Sequence, residues 1–103
     1  MPKVRRITLF KIPNEQDQQK LLGMYKEMKA KALKNGKPYI LSAEAGTTQQ
    51  DQRAAGFNIA ATTLFASDED FEYYDSECKA HTELKTFARS VNEGMCMVRI
   101  EVD

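Results

Sequence analysis

Hydrophobic positions along this chain follow two periods, and each change of period marks a boundary between elements. Residues 4–12 are rich in β-branched and aromatic side chains and are apolar on both faces, a pattern typical of a buried strand. Pro13 and Asn14 end that strand. From about residue 15 to 33, apolar side chains recur at helical spacing while lysines occupy the opposite side. The chain therefore begins with a predicted strand and one amphipathic helix, whose apolar face consists of Leu21, Leu22, Tyr25, Met28, Ala32 and Leu33.

Shorter elements occupy the rest of the sequence. After a turn signal at residues 35–38, residues 39–45 and 57–66 predict two further strands. The segment between them, residues 46–56, is polar and lacks periodicity, so it predicts a mobile loop. Downstream, Ser67 can cap a short helix whose first turn is acidic, and a second helix follows it. Gly94 ends that second helix and leads into a last strand. These three elements are predicted at residues 67–75, 80–90 and 95–102.

This order of elements, β-α-β-β-α-β with the second helix broken in two, predicts a ferredoxin-like α+β fold. Its four strands form an antiparallel sheet with all helices on one face, and the chain is predicted to form a single domain, residues 1–103. The opposite face has no helix left to cover it, although apolar side chains are predicted there. They are Ile7, Leu9, Ala60, Thr62, Leu64, Cys96, Val98 and Ile100. Because pairing two such faces across a two-fold axis buries both, we expect a homodimer with a barrel-like interior.

Composition argues against several classes of function. The 15 basic and 15 acidic side chains cancel, which argues against a dedicated nucleic-acid binder, even though residues 68–77 hold six acids and no base. No stretch reaches the length of a membrane span, so we expect a soluble cytoplasmic protein with no membrane partner. Cys78 and Cys96 lack paired ligand spacing, and two cysteines with one histidine do not supply a zinc set. We therefore expect neither a metal site nor a structural disulfide.

The single histidine of the chain, His81, is the first candidate for chemistry. Tyr74 lies about two helical turns upstream, and both residues are flanked by apolar side chains. A neutral imidazole there could remove a proton from a carbon next to a carbonyl, while the phenol hydrogen-bonds the imidazole or the oxygen on which negative charge develops. The alternative is structural, because a lone histidine near the start of a helix often packs or caps. Tyr74 could equally fill the seam between the two helix halves.

Three stretches carry a resemblance to a known family: VRRITLFK at residues 4–11, AGFNI at residues 55–59, and FEYY at residues 71–74 followed by AHTEL at residues 80–84. In this order and spacing they resemble the stress-responsive dimeric α/β-barrel (Dabb) family over nearly the whole chain. The resemblance implies a homodimer and a cavity between sheet and helices. One plant member uses such a cavity to close a linear polyketide by intramolecular aldol condensation, without a cofactor.

The resemblance also implies a set of site residues. The catalytic histidine and tyrosine of the plant cyclase fall on His81 and Tyr74, whereas its second histidine, on the first strand, is replaced by Arg6. Arg6 would add a fixed positive charge that could hold an enolate or a carboxylate. It could equally pair with the acids around Asp68 and Glu69 and close the entrance. The residues expected to line the cavity and bind substrate beside Arg6 are Thr8, Phe10, Leu21, Leu22, Tyr25, Ala61, Thr63, Phe71 and Met95.

Three functions remain open, and none of them requires a cofactor. We favour a non-catalytic dimeric protein that binds a small hydrophobic or aromatic molecule or serves in a stress response, because Arg6 replaces a histidine and few other titratable groups are available. The alternatives are a cofactor-free polyketide cyclase that uses His81 and Tyr74, and a cofactor-independent monooxygenase of the kind also built on dimeric α/β barrels. The cyclase hypothesis requires His81 and Tyr74 to approach hydrogen-bond distance at the wall of an enclosed cavity, and it fails if they are sealed in packing.

Overall fold

The computed structural model describes residues 2–103 and contains the predicted strands and helices in the predicted order. A small hairpin and a 3₁₀ turn are added to them. In chain order the elements are β1 (Lys3–Lys11), α1 (Glu15–Lys31), β2 (Leu33–Lys34), β3 (Lys37–Pro38), β4 (Ile40–Thr47), the 3₁₀ turn (Gln52–Ala54), β5 (Ile59–Phe65), α2 (Asp68–Ser76), α3 (Lys79–Val91) and β6 (Gly94–Val102).

The main sheet has four antiparallel strands in the order β4-β5-β1-β6. Ile7, in the middle of β1, pairs with Thr62 of β5 on one side and with Val98 of β6 on the other. Helix α1 packs over β4, and α2 packs over β1 and β5, so β6 lies at a less covered edge. This arrangement confirms the predicted ferredoxin-like α+β fold, including the division of the second helix into α2 and α3.

Side-chain caps set where α1 and α2 begin. Oδ1 of Asn14 accepts hydrogen bonds from the backbone N–H groups of Gln16 and Asp17, at 2.9 and 3.1 Å. Oγ of Ser67 accepts one from the backbone N–H of Asp70 at 3.2 Å. Both caps satisfy N–H groups of the first turn that have no partner within the helix. The start signals read from the sequence therefore act at the predicted positions.

Helix α1 is shorter than its apolar pattern predicts. It ends at Lys31, and Leu33, which the pattern placed on the buried helix face, is instead exposed in the hairpin of β2 and β3. Asn35 and Gly36 adopt left-handed backbone conformations, with φ angles of 53° and 77°, and form the turn of that hairpin. The helix stops early because the hairpin needs extended backbone on both sides of this turn.

The polar segment 46–56 is also more structured than the predicted loop. Gly46 and Thr47 continue β4, and Asp51 caps the 3₁₀ turn by accepting from the backbone N–H of Arg53 at 2.8 Å. Hydrophobic periodicity missed the turn because a local side-chain cap forms it, and no alternation of apolar positions marks it.

Candidate functional site

A cavity of about 290 Å³ lies between helix α3 and the β6 edge of the sheet. The space exists because α1 and α2 pack over the other strands and leave β6 less covered. Its volume is near the lower end of the range of about 300–1,000 Å³ that small-molecule sites occupy. The lining residues are Arg6, Phe10, Tyr25, Asp75, His81, Leu84, Lys85, Ala88, Arg89, Asn92, Met95 and Met97.

The structure brings together some of the predicted catalytic and binding residues at the cavity. Those that meet at the cavity are Arg6, Phe10, Tyr25, His81 and Met95. Those placed elsewhere, buried in the layer beneath α1 and α2, are Thr8, Leu21, Ala61, Thr63, Phe71 and Tyr74. Leu22 lines a separate open groove between α1 and β4. A side chain on the helix-covered face of the sheet therefore does not necessarily line the cavity, because most of that face is packed against the helices.

The predicted lining residues did not include most of the wall that α3 supplies. Several lining residues that follow His81 along the chain are separated by one, three or four positions, the spacing of one helix face. They are Leu84, Lys85 and Ala88 in α3 and Asn92 at its C-terminal cap. That spacing was available in the sequence, but periodicity cannot distinguish a packed face from one beside a cavity. The other lining residues that were missed are Asp75, Arg89 and Met97.

His81 lies where the cavity meets the packed core. Its Nδ1 is 2.8 Å from the backbone carbonyl oxygen of Tyr74, and the two rings stack with centroids 3.7 Å apart and planes 13° from parallel. A carbonyl oxygen can only accept, so in the neutral ring Nδ1 carries the proton and donates it. Nε2 is left as the acceptor nitrogen that a ligand could use.

Burial is the main reason why the pKa of His81 is lowered from 6.5 to about 3. The hydrogen bond to the Tyr74 carbonyl opposes this shift, while the positive charges of Arg6, Lys85 and Arg89 add to it. The imidazole is therefore neutral throughout the physiological pH range. A conjugate acid with so low a pKa also makes His81 a weak base in the unliganded protein.

Tyr74 is sealed in packing and does not line the cavity. Its side chain is 1% exposed, its ring centroid lies 5.0 Å from that of Phe65, and its hydroxyl has no hydrogen-bond partner within residues 2–103. Burial raises the pKa of the phenol, so the hydroxyl stays protonated. Tyr74 contacts His81 through its ring and its main-chain carbonyl, and this geometry gives the hydroxyl no catalytic partner.

Arg6 is the buried cation of the cavity. Its Nη1 donates a hydrogen bond to Oδ1 of Asp75 at 2.9 Å, and its Cζ lies 5.5 Å from the ring centroid of Tyr74. The acid that pairs with Arg6 is therefore Asp75, and not Asp68 or Glu69. The Asp75 side chain is 42% exposed, so this ion pair lies at the mouth of the cavity.

Residues 2–103 offer neither a metal centre nor a membrane-spanning helix. No group of three or more His, Cys, Asp or Glu side chains in this range is placed to hold a metal ion. Over the same range, no helix is both long and apolar enough to cross a membrane. Both cysteines are free, with Cys78 buried and Cys96 exposed.

The sequence of this chain matches a known protein family and a relative within it. The family model described as the stress responsive A/B barrel domain (Dabb) matches residues 4–102. The fusaristatin A biosynthesis cluster protein of Gibberella zeae is 41% identical over 97 residues, which cover 93% of this chain and 70% of that protein.

Solved structures share the fold. A hydroxynitrile lyase from Passiflora edulis matches with a TM-score of 0.81 at 18% identity, covering 98% of this chain and 94% of the lyase chain. A dimeric protein with a ferredoxin-like fold from Bacteroides fragilis matches with a TM-score of 0.71 at 21% identity, covering 96% of this chain and 95% of the other. At these identities the likeness concerns the fold alone.

Proposed function

This chain belongs to the stress-responsive A/B barrel domain family, and on that basis we propose that it binds a small hydrophobic or aromatic molecule in the cavity beside α3. The observation that carries the proposal is the cavity itself, about 290 Å³ in volume, whose walls combine apolar and aromatic side chains with a few polar groups. The relative from Gibberella zeae is named for a biosynthesis cluster, which supports a small organic molecule as the ligand.

The apolar walls suit a flat or flexible ligand. Phe10 and Tyr25 lie with ring centroids 6.3 Å apart on one side, and Leu84 contributes from α3. Met95 and Met97 line the β6 side, where their unbranched side chains can adapt to different shapes. Met95 is 55% exposed at the sheet edge, so this side supports a route of entry.

Thermal stability in the presence of phenolic and polyketide-like compounds tests the proposal. A specific ligand at about 100 times its Kd stabilises the folded state by about 2.7 kcal/mol. Ala88→Phe places a ring in the cavity and should abolish the thermal stabilisation by the compound. Ala45→Phe is the control: it fills the separate groove between α1 and β4, and the compound should still stabilise this variant. The proposal fails if no compound stabilises the wild-type protein, or if only Ala45→Phe removes the stabilisation.

The cyclase hypothesis in its predicted form does not meet its condition, because Tyr74 is sealed in packing and its hydroxyl does not bond His81. A cofactor-free cyclase that uses His81 without the Tyr74 phenol is the second candidate, favoured by one observation: His81, although only 1% exposed, lines the cavity with Nδ1 occupied and with no hydrogen bond at Nε2 within residues 2–103.

In such a reaction Nε2 takes a proton from a carbon next to a carbonyl, and the enolate carbon attacks a second carbonyl of the same molecule. A carbon–carbon bond forms as the π bond of that carbonyl breaks, and its oxygen takes the proton back from the imidazolium. Arg6 supports the negative charge on the enolate oxygen. Tyr74 acts as a positioning residue, because its carbonyl and ring hold the imidazole.

The test of this second candidate uses any polyketide-like compound that stabilises the protein, with cyclised product measured over time. His81→Gln should lower the rate by about 10²-fold or more if His81 is the general base. The same variant should still be stabilised by the compound, which separates lost chemistry from lost binding. An unchanged rate rules out the base role. No residue of the cavity favours a cofactor-independent monooxygenase over these two candidates.

We also propose that the chain forms a homodimer through the helix-free face of the sheet. Val98 and Ile100 on this face are 49% and 47% exposed, and Ile7, Leu9 and Leu64 lie half-buried beside them. Pairing two copies of the face covers these side chains in both. The protein of the same fold from Bacteroides fragilis is described as dimeric, which supports assembly in pairs.

A further inference from the structure

The charges around the cavity are unequal. Arg6, Lys85 and Arg89 bring three positive charges to its wall, whereas Asp75 is the one carboxylate among its lining residues. Asp75 is already bonded twice, since its side chain accepts from Arg6 and its backbone carbonyl accepts from Nζ of Lys85. A surplus of positive charge therefore remains at the cavity after Asp75 has been neutralised.

Arg6 has hydrogen-bond donors to spare. A guanidinium carries five N–H donors, and the one side-chain hydrogen bond that Arg6 makes within residues 2–103 uses Nη1. Its side chain is 7% exposed, and its Cζ lies 5.5 and 5.8 Å from the ring centroids of Tyr74 and Phe71, which hold the guanidinium in place. The unused N–H groups of Arg6 are not among the fully buried polar atoms that lack a partner within residues 2–103, so they reach open space, where a ligand of the cavity can accept hydrogen bonds from them.

We propose that the cavity selects apolar monocarboxylates. The carboxylate binds the free N–H groups of Arg6, and an aromatic or aliphatic body packs against Phe10, Leu84 and Met97. This inference rests on the proposed function and names the ligand class for the same cavity. A planar guanidinium and a carboxylate form two parallel N–H···O bonds, which a neutral polar group cannot reproduce.

The size of the cavity fits such a molecule. At about 30 Å³ for each water, its roughly 290 Å³ is the space of about ten waters, which suits a ligand with on the order of ten non-hydrogen atoms. Asp75 is at the mouth, and its 42% exposed side chain can keep its bond to Nη1 while the ligand takes the remaining donors. Lys85 and Arg89 add attraction for the same charge.

Three probes that share a phenyl ring on a three-carbon chain and differ in the charge of the terminal group test the preference for a carboxylate. They are 3-phenylpropanoate, 3-phenylpropanamide and 3-phenylpropylamine. Affinities are measured by calorimetry, and the C2–H resonance of His81 reports occupancy of the cavity, because the chain has one histidine and it lines the site. The carboxylate should bind the wild-type protein about tenfold more tightly than the amide, or better, because its hydrogen bonds are charge-assisted. The amine should bind most weakly.

Two variants with opposite expected effects assign the preference to residues. Arg6→Gln should bring the carboxylate and the amide to equal affinity. Asp75→Asn removes the competing acid and should tighten binding of the carboxylate several-fold while leaving the amide unchanged. Because Asp75→Asn is expected to gain affinity, a loss of folded protein cannot imitate its result.

Each outcome supports or overturns the inference. Equal affinity of the wild-type protein for the carboxylate and the amide overturns it, as does a preference that survives Arg6→Gln. If none of the three probes binds while a neutral compound of the thermal panel does, the ligand class is wrong and the proposed function stands. If no compound of that panel binds either, the proposed function itself has failed.

Discussion

The two faces of the sheet differ in how their side chains are covered. On the face covered by helices, Arg6, Thr8 and Thr63 are buried with the core, next to His81 of α3. On the helix-free face, apolar side chains such as Val98 remain about half exposed. The covered face therefore encloses a few polar groups within an apolar core, whereas the helix-free face, or open face, leaves apolar side chains exposed beside charged ones such as Arg5 and Glu44.

This difference in cover suits one face to ligand binding and the other to assembly. Helices supply partners for buried polar groups, as Asp75 does for Arg6 and the Tyr74 carbonyl does for His81, so chemistry and binding can be placed on the covered face. The open face has no element of its own chain above it, and only a second copy or another partner can cover its apolar side chains. Binding and assembly are thus assigned to opposite sides of one sheet.

Truncation of Tyr74 should have the largest effect, because it breaks the packing of the covered face. Tyr74→Ala removes a ring that stacks on His81 and packs on Phe65, and should lower the free energy of unfolding by about 3–5 kcal/mol. Tyr74→Phe removes only a hydroxyl that has no hydrogen-bond partner within residues 2–103, so it should change stability little or raise it. Urea denaturation of both variants checks this pair, and equal losses would contradict a role of the ring in packing.

A smaller effect should appear as a pH dependence of stability. The unfolded chain binds a proton at His81 below about pH 6.5, whereas the folded chain does so only near pH 3. Because the unfolded state then holds more protons, stability should fall as pH drops from about 6.5 towards 3, by at most about 1.4 kcal/mol per pH unit. The charged groups that share the cavity wall with the imidazole are Arg6, Lys85, Arg89 and Asp75.

The matched variant for this prediction is His81→Gln, whose amide can still donate to the Tyr74 carbonyl. Between pH 7.5 and 5, where ordinary carboxyl groups are still mostly ionised, its stability should depend less on pH than that of the wild-type protein. Denaturation curves at several pH values in this window measure the difference. Identical slopes would show that His81 titrates normally in the folded protein.

The smallest effect on the stability of the folded chain is expected on the open face. Val98→Glu places a charge on a half-exposed position and should change the stability of an isolated chain by about 0.5 kcal/mol or less. It should nevertheless prevent dimer formation, because the charge would be buried between two copies. Ala30→Glu, an exposed position on α1, is the control with the same charge change.

Light scattering at micromolar concentration measures the outcome. The wild-type protein and Ala30→Glu should have twice the mass of the 11.7 kDa chain, and Val98→Glu should have the mass of a single chain. A wild-type mass of one chain, or an unchanged dimer in Val98→Glu, would remove the open face as the interface.

The order of elements was predictable because its signals are local. The β-branched and aromatic run that predicts β1 and the caps at Asn14 and Ser67 depend on residues a few positions apart, and the structure has the strand and both caps where they were predicted. The end of α1 was missed because the left-handed turn at Asn35 and Gly36 overrides the apolar pattern that continues to Leu33.

The site was less predictable for a physical reason. His81 and Tyr74 do meet, but the short break between α2 and α3 brings a carbonyl, and not the phenol, to Nδ1. Arg6 pairs with an acid 69 positions away, and no local pattern chooses Asp75 over Asp68.

The amino-acid sequence by itself determined the main helices, the four strands of the main sheet and their order, because hydrophobic period and capping are properties of neighbouring residues. Only the tertiary structure decided which part of the covered face is packed and which is hollow. Helices α1 and α2 lie over the inner strands and close them, while the edge at β6 stays open beside α3. The low pKa of His81 follows from the same arrangement, since its burial and the nearby cations depend on elements that are distant in the chain.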